Sequence, residues 1–133
     1  MENSILMDVR AACSVAPEDD GFDTQLIPLI NSKLMVAHQL GIVPNGFTIA
    51  DQSTTWREML GENGEQLIAI KTWLGYSVLL MFDPPDNGTV LKAYQDQVQK
   101  LEWMLCNKSL LEGHVRNYVP ERAAVYDDVK TYD

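Results

Sequence analysis

Basic residues are scarce in this chain, and so are cysteines, histidines and long apolar runs. Ten Lys and Arg stand against nineteen Asp and Glu, for a net charge of -9. Such a chain repels phosphate backbones and lacks the attraction that dominates nucleic-acid affinity, so direct binding to DNA or RNA is disfavoured. The two cysteines, Cys13 and Cys106, are too few for a disulfide scaffold and match no metal-ligand spacing. They read as reduced core thiols of a cytosolic protein. Neither histidine, His38 or His114, has a Cys, Asp or Glu at metal-ligand spacing, and both read as surface or core-edge side chains. No stretch reaches the roughly 18 apolar residues of a membrane span, and "MENSILMDVR" lacks the basic start and apolar run of an export signal.

What is present is helical periodicity. A length of 133 residues with 46% apolar and 22% charged residues suits one domain with a modest core. In "SILMDVRAACSV" the residues Ile5, Leu6, Val9, Ala12 and Cys13 recur at helical intervals behind a capping Ser4. A second helix is expected from about 25 to 40, capped by Asp23 or Thr24, with Pro28 in its first turn and Gly41 as its left-handed end. "VPNGFTIADQSTTWREMLGENG" reads as a long loop with at most an edge strand at Phe47 to Ile49, plus two helical turns capped by Thr54 or Thr55 and closed by Gly61. The segment "EQLIAIKTWLGYSVLLMF", apolar nearly all round, reads as a central helix. "TVLKAYQDQVQKLEWMLC" is a cleaner amphipathic helix in which Asp96 is set to pair with Lys100.

Between these two helices stands "FDPP". Pro84 removes helical freedom from Asp83, and Pro85 does the same to Pro84, so the central helix must stop near Phe82. Asp86 or Thr89 can cap the next one. The expectation is an all-α fold: a small helical bundle with a central antiparallel hairpin of residues 65–82 and 89–106. Residues 1–107 form the domain and 108–133 an extended tail whose helical periodicity is lost after Gly113 and which a partner would order.

The residues offer no catalytic constellation and point to no cofactor or metal. Neither cysteine opens a nucleophile motif. Glu18, Asp19, Asp20 and Asp23 lack the full ligand pattern of a calcium loop, and "GENGE" at 61–65 lacks the lysine and hydroxyl residue of a phosphate-binding loop. Both read as turns. Trp56, Trp73 and Trp103, at helical spacing in an acidic chain, read as core or interface residues rather than a base-stacking platform. A helical domain without catalytic groups is suited to contact with other proteins, as a cytoplasmic adaptor or regulatory module among other possibilities.

Three stretches in order, "SILMDVRAACSV" with "FDTQLIPLINSKLMVAHQLGIVPNGFTIADQSTTWREMLG", then "IKTWLGYSVLLMFDPP" and then "YQDQVQKLEWMLCN", resemble the head–tail connector proteins of long-tailed bacteriophages, also called adaptor or head-completion proteins. The resemblance covers residues 4 to about 107. It implies a structural virion protein at the head–tail interface, assembled in the host cytoplasm and neither enzymatic nor cofactor-dependent. Its copies would form a ring, usually a dodecamer, beneath the portal protein, extend the DNA channel without binding DNA specifically, and offer a platform to a neck or tail-completion protein. No membrane is involved. Under this reading Asp96 and Glu102 are candidates for an acidic lumen that lets DNA slide, the alternative being a solvated acidic surface. Tyr118, Val125, Tyr126, Val129 and Tyr132 are candidates for docking on the portal or a neighbouring copy, "AVYDDVKTY" being able to add a strand to a sheet edge.

Overall fold

The computed structural model describes residues 2–43, 46–61 and 66–113. Five helices follow one another among them: α1 (Ile5–Ala12), α2 (Asp23–Gln39), α3 (Trp56–Leu60), α4 (Leu67–Phe82) and α5 (Gly88–Gly113). The expected all-α bundle is what forms. Pro44 and Asn45, most of "GENGE" and the residues from His114 onward lie outside the described residues.

α4 is the centre because it is apolar on every side, and it packs against α1, α2 and α5. Its Ile70, Trp73, Leu74 and Val78 are buried among Leu6 and Val9 of α1, Leu26, Ile30 and Leu34 of α2, and Leu101 and Leu105 of α5. α1 approaches it closely at one point. A Cβ built on Gly75 would lie 2.8 Å from the Cβ of Ala12, so the two helices cross at a distance that a glycine permits.

α1 starts where Ser4 accepts a hydrogen bond from Met7 N–H, as its position ahead of the apolar run predicts. It ends in a Schellman motif: Ser14 N–H donates to Ala11 and Val15 N–H to Arg10, which puts Ser14 at φ 62° without being glycine. α2 ends the same way through Gly41 (φ 80°), with Ile42 N–H on the Ala37 carbonyl at 2.8 Å.

The start of α2 differs from the sequence expectation. Neither Asp23 nor Thr24 is the cap; Phe22 stands there without a side-chain cap bond, because the Asp23 carboxylate is taken by Arg10. Pro28 consequently sits in the second turn. Pro28 has no N–H to offer the Thr24 carbonyl, and both residues lie on the exposed side of the helix, where the carbonyl is open to solvent.

The 46–55 stretch is the loop expected, and no edge strand forms at Phe47 to Ile49. The side chain of Asn31 takes the place of a strand partner, accepting from Ile49 N–H at 2.8 Å and donating to its carbonyl at 3.0 Å. One isolated antiparallel bridge, Ser4 to Thr55, aligns the beginnings of α1 and α3, and each of these residues caps its own helix.

Two polar knots lock the layers. Asp8 accepts from the Trp56 indole at 2.7 Å and pairs with Lys71 at 3.3 Å, tying α1, α3 and α4. The second centres on Arg10, 1% exposed on the buried side of α1. Its guanidinium forks onto both Asp23 carboxylate oxygens at 3.0 and 2.6 Å, donates to the Pro17 carbonyl and reaches Gln52 at 3.0 Å. The bonds to Asp23 keep its pKa above the ordinary value against the opposing effect of burial, and the charges of Asp23, Asp20 and Asp19 act in the same direction.

Candidate interaction surfaces

The α4–α5 hairpin forms as the proline pair predicts. Trp73 donates to Glu102 at 3.0 Å and Tyr76 meets the edge of Tyr94 at 4.8 Å between ring centroids; partners on α5 move back toward its start as α4 advances, so the helices are antiparallel. Asp83 has left the helical region (φ -152°, ψ 71°) before Pro84, and its N–H still donates to the Leu79 carbonyl at 2.8 Å. The new helix is capped by Asn87, whose side-chain oxygen accepts from Thr89 and Val90 N–H at 2.8 and 3.1 Å. Asp86 and Thr89, the caps read from the sequence, do not fill that place. Asn87 alone stands one residue before the first helical position, which Gly88 takes.

At this turn the molecule has an apolar corner with an acidic border. Phe22, 40% exposed, packs edge-on against Phe82 at 5.6 Å, and the prolines follow directly. Asp83 and Asp86 are exposed on one side, and Glu18, Asp19 and Asp20 on the chain leading to Phe22. Cys13 lies close behind: burial first, and the Asp83 charge second, push its thiol up to about 11. It is an inert core thiol.

Shallow recesses mark the outer faces of the described residues. One of about 390 Å³ lies between α2 and the 46–48 stretch, lined by Leu34, Met35, His38 and Phe47. Another of about 420 Å³ runs along the hairpin between Tyr76, Val90, Tyr94 and Gln97. A third, about 260 Å³, sits over the α1–α4 crossing beside Asp8, Lys71 and Gly75. Met35 and Ile68 are 60% and 79% exposed. These are surfaces for side-chain contact rather than enclosed sites with convergent polar groups.

Of the residues singled out in the sequence, Asp96 is exposed on α5 and pairs with Lys92 at 3.0 Å, one turn before it rather than with Lys100 after it. Glu102 is half-buried and holds the Trp73 indole. Trp56 and Trp73 are buried and Trp103 is half-buried, so no stacking platform is displayed. His38 is exposed. Tyr118, Val125, Tyr126, Val129 and Tyr132 lie outside the described residues. Among the described residues no group of three His, Cys, Asp or Glu is placed to hold a metal ion, and no helix is long and apolar enough to cross a membrane.

Sequence reasoning missed Arg10 and the Phe22–Phe82 pair. Arg10 had a signal: it follows Leu6 by four on the apolar side of α1 and precedes a run of carboxylates. The aromatic pair had none, because sixty positions separate its members.

Neither a curated protein nor a solved structure matches the chain significantly. A family model does: the one described as phage connector protein matches residues 5–110, from the first residue of α1 to the last turn of α5. That range contains every helix on which the surfaces above are built. The chain therefore belongs to the phage connector protein family, a structural rather than an enzymatic one.

Proposed function

We propose that copies of this chain form a ring beneath the capsid portal, joining the head to the neck and tail and extending the channel for DNA. The observation that carries this reading is the family match over the whole helical domain, residues 5–110. The build of the molecule suits such a role. α4 and α5 are fixed by two prolines, an Asn87 cap and the Trp73–Glu102 bond, which supports a rigid wall segment. A net charge of -9 favours a lumen that does not hold DNA. Asp96, exposed on α5, and Glu102 are the acids assigned to it.

The end of the tail, through Val125, Tyr126, Val129 and Tyr132, docks on the portal by adding a strand to an exposed sheet edge, and the opposite side of the ring receives the neck or tail-completion protein. The ring follows the portal's symmetry, a dodecamer in the particle, and is assembled in the host cytoplasm. Co-purification with the portal protein tests this. The full chain is expected to be retained, and a chain ending at Gly113 is expected to be lost while keeping its helical circular dichroism and unfolding transition. Equal retention of the two chains would refute the docking role of the tail.

A further inference from the structure

The acidic corner at the hairpin turn points to a specific contact between copies. Phe22 and Phe82 present an aromatic edge at the surface, and exposed carboxylates adjoin it along the chain, Asp19 and Asp20 just before Phe22 and Asp83 and Asp86 just after Phe82. Asp23 belongs to Arg10, but the others have no cation within ion-pair distance among the described residues. The complement of such a surface is an apolar segment carrying basic residues.

The chain holds one. Residues 114–122, "HVRNYVPER", bring Val115, Tyr118 and Val119 together with Arg116 and Arg122 against a single acid, Glu121. The following part is unsuited to an acidic surface, with Asp127, Asp128 and Asp133 against Lys130.

Length decides whose corner it meets. α5 starts at the corner and runs for 26 residues, so its end at Gly113 is about 39 Å away at 1.5 Å per residue. Tyr118 is five positions beyond Gly113, a reach of about 18 Å even when fully extended. The arm's first basic and aromatic residues therefore cannot return to the corner of their own chain.

We infer that residues 114–122 of one copy dock on the Phe22–Phe82 corner of the next, Tyr118 against the aromatic edge and Arg116 and Arg122 on the carboxylates. The contact joins different surfaces of the two partners, so repetition makes a ring if the rotation closes and a filament if it does not. This rests on the reading that copies of the chain assemble on the portal, and it adds which surfaces meet.

The test places a photo-crosslinking benzoylphenylalanine at position 22 of the full chain, an aromatic for an aromatic, and irradiates it with purified portal protein present. The expected product is a covalent dimer in which position 22 of one chain is joined to a residue within 114–122 of another. The double change Arg116→Glu and Arg122→Glu lowers the dimer yield by about tenfold or more, the factor that 1.4 kcal/mol of lost contact produces. Asp20→Arg with Asp86→Arg in the same chain as the reversed arm restores it. Adducts within one chain, or to other segments of a second chain, overturn the inference. Sedimentation of the same samples separates the two levels: chains that assemble on the portal with adducts elsewhere refute the arm contact alone. Chains that never assemble refute the proposed function and the arm contact with it.

Discussion

Replacing Arg10 by methionine puts the packing of the bundle under its most severe test. The change keeps an unbranched side chain on the buried side of α1 but removes a fork held by Asp23 at 3.0 and 2.6 Å, by the Pro17 carbonyl and by Gln52. Loss of one partner of a buried ion pair costs about 3–5 kcal/mol when the other charge stays buried. Here Asp23 keeps a 22% exposed side chain and Gln52 is exposed, so water partly replaces the guanidinium and the expected cost is near the lower end, about 3 kcal/mol. For a chain of this length that lowers the melting temperature by about 10–15 °C. Arg10→Lys is expected to recover less than half, since an ammonium cannot bond both carboxylate oxygens in parallel. In the double variant with Asp23→Asn the two losses overlap by about 2 kcal/mol. Urea unfolding followed by circular dichroism at 222 nm reads all three, and added salt changes the result little because a buried pair is poorly screened. A cost for Arg10→Met below about 1 kcal/mol, the range of exposed pairs, would refute the assignment of Arg10 as the tie between α1, the 14–22 chain and α2.

Three further outcomes follow from the same packing. Gly75→Ala gains up to about 1 kcal/mol of helix propensity but drives two Cβ atoms to 2.8 Å, and the overpacking cost of about 1–3 kcal/mol wins. The urea midpoint falls, and Ala12→Gly in the same chain restores part of it. Ser14→Gly relieves a non-glycine residue at φ 62° and raises stability by about 0.5–1 kcal/mol in the same assay. Cys13, pushed up to about 11 by burial and then by Asp83, stays protonated in the folded chain at pH values where the unfolded chain's thiol ionises. Stability is therefore fully present below pH 9 and declines as pH rises toward 11, by about 1.4 kcal/mol per unit, and Cys13→Ala flattens that slope in unfolding curves taken across the range.

Much of the fold was legible because its signals are local. The proline pair stops α4 at Phe82 whatever surrounds it, and Gly41 ends α2 through its own backbone freedom. Boundaries slipped where a side chain had two possible uses. Asp23 is a good cap by type, yet in the fold Arg10 claims it and α2 begins without one. Asp86 and Thr89 are good caps by type as well, but Asn87 has the position. Phe47 to Ile49 has strand-forming residues and no neighbouring strand; Asn31, eighteen positions earlier in the chain, supplies the two bonds instead. The turn at the centre of the candidate surfaces was readable as a stop. Its aromatic edge was not, since Phe22 meets Phe82 through the packing of α2 on α4, which no local pattern encodes.

Electron microscopy of the chain mixed with its portal protein decides whether a ring forms there. Additional ring-shaped density is expected at the portal's narrow end, with the portal's rotational symmetry and a channel continuous with that of the portal. Portal particles unchanged by a saturating excess of the chain, or density bound on the flank without a continuous channel, would contradict the proposed role.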